Sequence, residues 1–303
     1  MNLFAKFEAV EMKADFRISD ADKQFCEAHQ AAYEAAKSAL TELQFFWEDI
    51  LKNQEALLKE TGDTKTTYLS GYDTLKISPD NIQTQLKALH NIFIERLVRY
   101  FNQLYHVTIS YTDIVENLLP KKPERRSYDD ESLEEYKKKK ETYESDLLHL
   151  SLTHDTILEQ IFVQMDGRGL WEQALYELKE KCHSAGWYAH NKSPKYELHK
   201  DVLRFTGYAC SYDGRYRSAS WELCDGIKNI LRGIAHYETG SFSYIPGSMS
   251  GLLGYYNDSD LIIFYDCKKV SQLKMFKNGR VDIKFADVSR AKTFVDEYLG
   301  TVY

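Results

Sequence analysis

The stretch Val270-Ser-Gln-Leu-Lys-Met-Phe-Lys-Asn-Gly-Arg-Val-Asp-Ile-Lys-Phe285 decides the fold of the second half of the chain. Asn278-Gly279 is typical of a tight type I′ turn, because both residues tolerate the positive φ angles that this turn requires. Apolar residues alternate with polar ones on either side of it, namely Leu273, Met275, Val281, Ile283 and Phe285. Side chains alternate between the two faces of a strand, so the pattern predicts a β-hairpin with one face on a core.

The rest of the second half mixes strand and helix patterns. Val202–Tyr208 and Leu261–Tyr265 are predicted to be strands, and Trp221–Ile234 is predicted to be a helix. Asp287 is placed to cap a last helix, which ends at Leu299-Gly300. We therefore expect a small α+β domain built on an antiparallel sheet.

The first half has a helical period throughout. Apolar residues recur every three or four positions in five segments, which indicates amphipathic helices. The start at Ser78-Pro79-Asp80 is the clearest, because Ser can cap a helix and Pro suits its first position. The helices are expected to cover Ser19–Glu60, Pro79–His106, Thr112–Leu119, Ser132–Ser151 and Thr153–Gln164. Together they predict an elongated α-helical bundle with antiparallel, coiled-coil-like packing.

Charge and period both change near residue 166, where Asp166-Gly-Arg-Gly169 interrupts the helical pattern. Residues 1–166 carry a net charge of −10, and the remaining residues carry +3. At 303 residues the chain also exceeds the usual size of a single core. The sequence thus predicts an α+β protein with an α-helical domain over 1–165 and an α+β domain over 166–303.

Composition excludes several classes of protein. No apolar run approaches the roughly 20 residues that a membrane-spanning helix needs, and the N-terminus lacks the pattern of a secretory signal. The five cysteines are odd in number and form no C-x-x-C pair. This favours reduced thiols over a disulfide framework or a zinc site. We expect a cytoplasmic protein with no membrane contact and no cofactor.

Several motifs of the second half follow one another in a characteristic order. They are Met165-Asp-Gly167 before a helix with Trp171, Trp187 before Tyr196-Glu-Leu-His-Lys-Asp-Val202, Trp221-Glu-Leu-Cys-Asp225, and Phe276-Lys-Asn-Gly-Arg-Val-Asp-Ile-Lys-Phe285. On these motifs the chain from Met165 onward resembles an uncharacterised bacterial and phage domain family, which is found on mobile elements beside N6-adenine DNA methylases. The chain departs from the family pattern at Asp282, where a histidine is expected. The resemblance implies a mobile-element context and no particular activity.

The sequence lacks the motifs of two kinds of nucleotide chemistry. The catalytic loop of an adenine methylase needs two adjacent prolines before an aromatic residue, and the five prolines of this chain are never adjacent. No P-loop motif is present either. Cys182, His183, His190 and His199 match no zinc spacing, so we predict no metal site.

One candidate catalytic set consists of Asp266, Asp282 and Lys284. Two carboxylates that hold Mg²⁺ beside a lysine suit phosphodiester hydrolysis. Asp282 and Lys284 share one face of the hairpin because they lie two residues apart. Asp and Lys alternating on an exposed strand face is also what solubility requires. A Mg²⁺-dependent nuclease is therefore an alternative, and the main prediction is a chain without catalytic residues.

Several tyrosines stand beside arginines in the stretch that contains Tyr208, Tyr212, Arg215, Tyr216 and Arg217, as they do on many nucleic-acid and protein contact surfaces. Arg215 and Arg217 lie two residues apart beyond a predicted turn, so both are expected to face the same way. We predict partner or nucleic-acid contacts from Tyr212, Arg215, Tyr216, Arg217, Lys274, Lys277 and Arg280. The alternative is an ordinary exposed strand.

Three functions remain open on the sequence. The first is a non-enzymatic phage or mobile-element interaction protein that acts on a nucleoprotein complex of defence or DNA modification, for example as an inhibitor of a restriction or CRISPR effector. Its acidic helical half would compete for a DNA-binding groove by presenting like-signed charge. The second is a direct DNA- or RNA-binding accessory of a DNA methylase, and the third is the Mg²⁺-dependent nuclease. The helical half could also pair two copies into a homodimer.

Overall fold

The computed structural model describes residues 18–59, 79–124, 132–190, 193–214, 220–254 and 257–300. These residues fall into two compact units. Unit 1 holds the described residues up to Leu104 together with Ile109–Gly169, and unit 2 holds Tyr105–Thr108 together with the residues from Leu170 onward. Residues 1–17 and 60–78, which include the predicted helix end at Glu60 and the predicted capping residue Ser78, lie outside the described residues.

Unit 1 is built from helices, as the apolar period predicts. Their bounds are α1 Asp20–Lys59, α2 Pro79–Tyr105, α3 Tyr111–Leu118, α4 Leu133–His149 and α5 His154–Gln164. The Tyr100 hydroxyl donates to Asp22 at 2.8 Å, and Tyr33 meets His90 at 2.9 Å. The contact residue on α1 moves forward from Asp22 to Tyr33, while its partner on α2 moves back from Tyr100 to His90. The two helices therefore run antiparallel.

Side-chain caps define where the later helices of unit 1 begin. Ser110 accepts a hydrogen bond from the backbone of Asp113, and Ser132 and Thr153 each form a reciprocal capping box. These caps satisfy backbone N–H groups that would otherwise lack partners in the first turn. The helix starts predicted at Thr112, Ser132 and Thr153 are therefore confirmed to within one residue, because the helices begin at Tyr111, Leu133 and His154.

Unit 2 places helices and strands around one core. Its elements are α6 Leu170–Gly186, β1 Tyr196–His199, β2 Val202–Phe205, β3 Cys210–Asp213, β4 Ser220–Leu223, α7 Asp225–Thr239, α8 Gly247–Ser250, β5 Leu261–Ile263, β6 Val270–Met275, β7 Val281–Phe285 and α9 Val288–Phe294. A short 3₁₀ turn follows α8, and a π-helical turn, Val295–Leu299, follows α9. The predicted α+β class with an antiparallel sheet is confirmed.

Five strands form the main sheet in the order β1-β2-β7-β6-β5, and β3 pairs with β4 in a separate two-stranded sheet. Every pairing is antiparallel. The inner face of the main sheet is fully buried at Leu203, Leu273 and Ile283, where it packs with apolar residues of α7 and α9. The opposite face carries polar side chains, among them the candidate residues Lys274, Asp282 and Lys284.

The β6–β7 hairpin is confirmed, but its turn differs from the predicted type. Met275 pairs with Val281, and the Phe276 N–H donates to the Arg280 carbonyl at 2.9 Å. Gly279 has a φ of +80°, whereas Asn278 is not among the residues with positive φ. The three-residue loop Lys277-Asn278-Gly279 with glycine in the left-handed position is the usual longer alternative to a type I′ turn.

The predicted helix Trp221–Ile234 is wrong at its start. Trp221 lies on β4 opposite Tyr212, and the helix begins at Asp225. Trp221 and Leu223 alternate as buried residues with half-buried ones, which is the period of a strand.

Among the described residues, no helix is long and apolar enough to cross a bilayer.

Candidate partner-binding cluster

A group of aromatic and basic side chains gathers at the end of the β6–β7 hairpin. The guanidinium of Arg280 lies 3.7 Å from the centroid of the Phe276 ring, and the Lys274 ammonium lies 5.4 Å from the same centroid. Lys277 is 4.6 Å from the ring centroid of Tyr212 on β3. These are distances at which a cation is attracted to an aromatic ring. We call Tyr208, Tyr212, Lys274, Phe276, Lys277 and Arg280 the hairpin-tip cluster.

The backbone of the turn attaches β3 to the hairpin and so holds the cluster together. The Gly279 carbonyl accepts hydrogen bonds from the N–H groups of Ala209 and Cys210 at 2.8 and 3.3 Å. A Cβ at Gly279 would approach the Tyr208 nitrogen to 3.0 Å, which is closer than such contacts normally are. Glycine is therefore needed here both for its positive φ and for this close approach.

Both tyrosines of the cluster are open to solvent. Tyr208 is 93% exposed and has a φ of +57°, an uncommon conformation for a residue with a Cβ. Tyr212 is 36% exposed and packs one side of its ring against Trp221. Exposed aromatic rings on a fixed backbone are suited to contact with another molecule, because little conformational freedom is lost when they bind.

Asp282 occupies the middle of the outer sheet face, where it pairs with two arginines. Its Oδ1 atom lies 3.2 Å from Nε of Arg204 on the neighbouring strand and 3.2 Å from Nε of Arg280. All three side chains are less than one-third exposed. The carboxylate thus fixes the arginines and holds Arg280 over Phe276, which is a structural task.

Asp266 lies apart from the other two candidate nuclease residues, whereas Asp282 and Lys284 share one face of β7. Asp282 on β7 pairs with Lys274 on β6, and Lys274 pairs in turn with Leu261, the first residue of β5. Asp266 lies three residues beyond the end of β5. Asp266 accepts hydrogen bonds from the backbone and hydroxyl of Ser248, and the hydroxyl is the main cause of its lowered pKa. Lys284 lies 3.9 Å from Asp201. Each member of the set thus has its own partner.

The other sequence candidates divide into two groups. Arg215, Tyr216 and Arg217 lie outside the described residues. Two histidines that stand near Cys182 in the sequence have separate hydrogen-bond partners. His183 Nδ1 lies 3.0 Å from the Leu299 carbonyl oxygen, and His199 Nε2 lies 2.8 Å from Oε2 of Glu197. In the part of the chain that the structure describes, no three His, Cys, Asp or Glu side chains come together as a metal site would require.

The structure adds Phe276 to the residues predicted from sequence, and it places the exposed Tyr208 beside the hairpin turn. Phe276 is the ring that Arg280 covers, and its position beside Lys277 at the end of a strand was the available signal. The contact between Lys277 and Tyr212 joins residues 65 positions apart, and only the fold brings them together.

Comparison with known proteins adds no information about the site. No family model, curated protein or solved structure matches the chain. The resemblance of the region from Met165 onward to a mobile-element family stays a prediction from its motifs.

Proposed function

We propose that the chain is a non-enzymatic interaction protein and that unit 2 contacts a nucleoprotein partner through the hairpin-tip cluster. The observation that carries the proposal is the juxtaposition of two exposed tyrosines with Lys274, Lys277 and Arg280. Tyr and Arg are enriched among the residues that dominate binding energy at protein interfaces. Aromatic rings beside cations also suit the bases and phosphates of nucleic acid.

The charges of the cluster favour a partner with acidic groups. Asp282 is already shared between two arginines, so it contributes little free negative charge to the surface. Lys274 and Lys277 form no ion pair with any carboxylate of the described ranges. Their ammonium groups are therefore available to phosphate or carboxylate groups on a partner, which would also speed association.

The kind of partner follows from the sequence. Because the chain from Met165 onward resembles a family of mobile elements, we place the partner among nucleoprotein complexes of defence or DNA modification, such as a restriction or CRISPR effector. Unit 1 would supply docking or assembly, since α1 leaves Phe45, Phe46 and Leu57 more than half exposed. We propose a second copy of the chain as one occupant of this surface.

An affinity experiment tests the proposal. The tagged full-length protein is recovered from its host with and without nuclease treatment, and bound proteins are quantified by mass spectrometry. We expect a protein partner in stoichiometric amount that survives nuclease. Recovery of nucleic acid with no stoichiometric protein would contradict the proposal and would favour the next candidate.

Direct nucleic-acid binding is the second candidate, and the contact between Lys277 and Tyr212 favours it. A base stacked on an exposed tyrosine with a phosphate near the lysine is a common arrangement for single strands. Anisotropy of a labelled single-stranded oligonucleotide across a salt series tests this function. Lys277→Ala should reduce the slope of log affinity against log salt by about 0.7 if the lysine neutralises one phosphate. An unchanged slope would remove Lys277 from the contact.

A further inference from the structure

Unit 2 contains a cleft that the hairpin-tip cluster does not use. Its walls come from α6, α7 and the loop after α7, and its volume is about 230 Å³. Apolar side chains such as Leu178 and Ile245 line part of it, and charged groups from both helices converge on the rest. Small-molecule sites typically combine an apolar wall with a few convergent polar groups.

Glu177 is the buried acid of this cleft, with only 8% of its surface exposed. Its Oε1 atom accepts hydrogen bonds from the Thr108 N–H at 3.0 Å and from the Gln173 amide at 3.1 Å. Its Oε2 atom is buried without a hydrogen-bond partner, and the nearest cation, Lys181, is 3.7 Å away. A buried carboxylate oxygen with no donor is costly, so it is a natural place for a ligand donor group.

Two cations face the cleft beside this carboxylate. Lys181 lies one turn along α6 from Glu177, and Arg232 lies on α7. Arg232 donates one guanidinium hydrogen bond to Asn229 at 2.9 Å, and a guanidinium has five donors in all. The remaining donors can bind an oxyanion, which the planar fork of arginine suits well.

His236 completes the polar lining. Its Nδ1 atom meets the Tyr298 hydroxyl at 2.7 Å, and its ring packs against Phe242 at 4.4 Å between centroids. Burial lowers the pKa of His236, and the charges of Lys179 and Lys269 lower it further. The imidazole is therefore neutral near pH 7, and it offers one uncharged donor or acceptor to the cleft.

We propose that this cleft binds a small organic anion that carries a hydroxyl or amino group. The carboxylate or phosphate of the ligand would bind Arg232 and Lys181, and its hydroxyl or amine would donate to Oε2 of Glu177, which forms an ion pair with Lys181 but no hydrogen bond. Its carbon skeleton would lie on Leu178 and Ile245. The site is separate from the hairpin-tip cluster, so the proposal holds whether or not the cluster binds a nucleoprotein.

Calorimetry with three matched pairs of compounds tests the proposal on the full-length protein. The pairs are glycerol 3-phosphate with glycerol, adenosine 5′-monophosphate with adenosine, and lactate with lactamide. We expect at least one anionic compound to bind, with its less acidic counterpart at least about tenfold weaker, which corresponds to the loss of one charged hydrogen bond. Arg232→Ala should abolish that binding, whereas Lys292→Ala on the exposed side of α9 should leave it unchanged.

Glu177→Gln separates a ligand role from a structural one. The amide oxygen can still accept from Thr108 and Gln173, so unit 2 should unfold at nearly the same temperature as the wild type. Affinity for the anionic ligand should nevertheless fall about tenfold, because the amide nitrogen that replaces Oε2 cannot accept a hydrogen bond from the hydroxyl or amine of the ligand. Failure of all three anions to bind the wild type would overturn the proposal, and so would binding that survives Arg232→Ala.

Discussion

Gly233→Ala gives a sharp test of how α6 and α7 pack in unit 2. Gly233 lies inside α7, and a Cβ added there would be 2.4 Å from the sulfur of Cys182, which is fully buried on α6. The next nearest atoms belong to Tyr298 at 3.4 Å and Phe294 at 3.8 Å, which are ordinary contact distances. The clash therefore involves one atom pair.

Two effects of opposite sign set the size of the change. Alanine is favoured over glycine inside a helix by about 0.5–1 kcal/mol. Overpacking a close-packed core costs about 1–3 kcal/mol, and relief here requires the helices to separate by roughly 1 Å to reach normal contact. The clash should win, so we expect Gly233→Ala to lower the free energy of unfolding of unit 2 by about 1–2 kcal/mol.

Removal of the sulfur should reverse the sign. In a Cys182→Ala background the methyl group that Gly233→Ala adds meets only ordinary contacts, so the helix preference remains and the substitution should stabilise by up to about 1 kcal/mol. The two sites should therefore couple strongly in a double-mutant cycle, by about 2 kcal/mol.

Urea unfolding followed by tryptophan fluorescence measures this coupling. All variants carry Trp47→Phe, so that the signal comes from the three tryptophans of unit 2, Trp171, Trp187 and Trp221. Additive effects of Gly233→Ala and Cys182→Ala would refute the packing argument, and so would a stabilising Gly233→Ala in the presence of Cys182.

Three further outcomes follow from the structure. Gly279→Ala should destabilise unit 2 by about 1–3 kcal/mol, measured by urea unfolding, because a side chain there needs a positive φ and approaches the neighbouring backbone. Asp282→Asn should cost about 1 kcal/mol through weaker pairing with Arg204, and a variant as stable as the wild type would contradict this. Burial lowers the pKa of His90, so the unfolded chain binds more protons below about pH 6.5, and the stability of unit 1 should fall as pH drops through that value. His90→Gln should flatten this dependence in unfolding curves taken across the pH range, and an equally steep dependence in the variant would show that His90 is not its cause.

Sequence patterns within single segments were enough to predict the β6–β7 hairpin and the capped start of α9. The hairpin followed from alternation and from glycine in the turn, and the capping residue Asp287 located the start of α9. The turn type was wrong because Asn-Gly also suits a three-residue loop, in which only Gly279 takes a positive φ. Short loops of both kinds share the same residues, so sequence alone did not separate them.

Contacts between distant segments decided the remaining features. Trp221 was assigned to a helix because apolar residues follow it at helical spacing, but pairing with Tyr212 places it in a strand. The contact of Lys277 with Tyr212 and the convergence of Glu177 with Arg232 depend on how strands and helices pack. In the sequence, Glu177 and Lys181 have the spacing of an ordinary exposed ion pair on a helix, which conceals the buried oxygen.

The decisive measurement for the proposed binding surface is whether a variant of the hairpin-tip cluster retains the partner. Tyr212→Ala/Lys277→Ala is compared with Lys292→Ala, which removes the same charge from an exposed site on α9, and both are checked for a native circular dichroism spectrum. We expect the double variant to lose at least about tenfold of the nuclease-resistant partner, because such residues dominate the binding energy of an interface, and we expect Lys292→Ala to retain it. Full retention by the folded double variant would contradict the assignment of the hairpin-tip cluster as the binding surface.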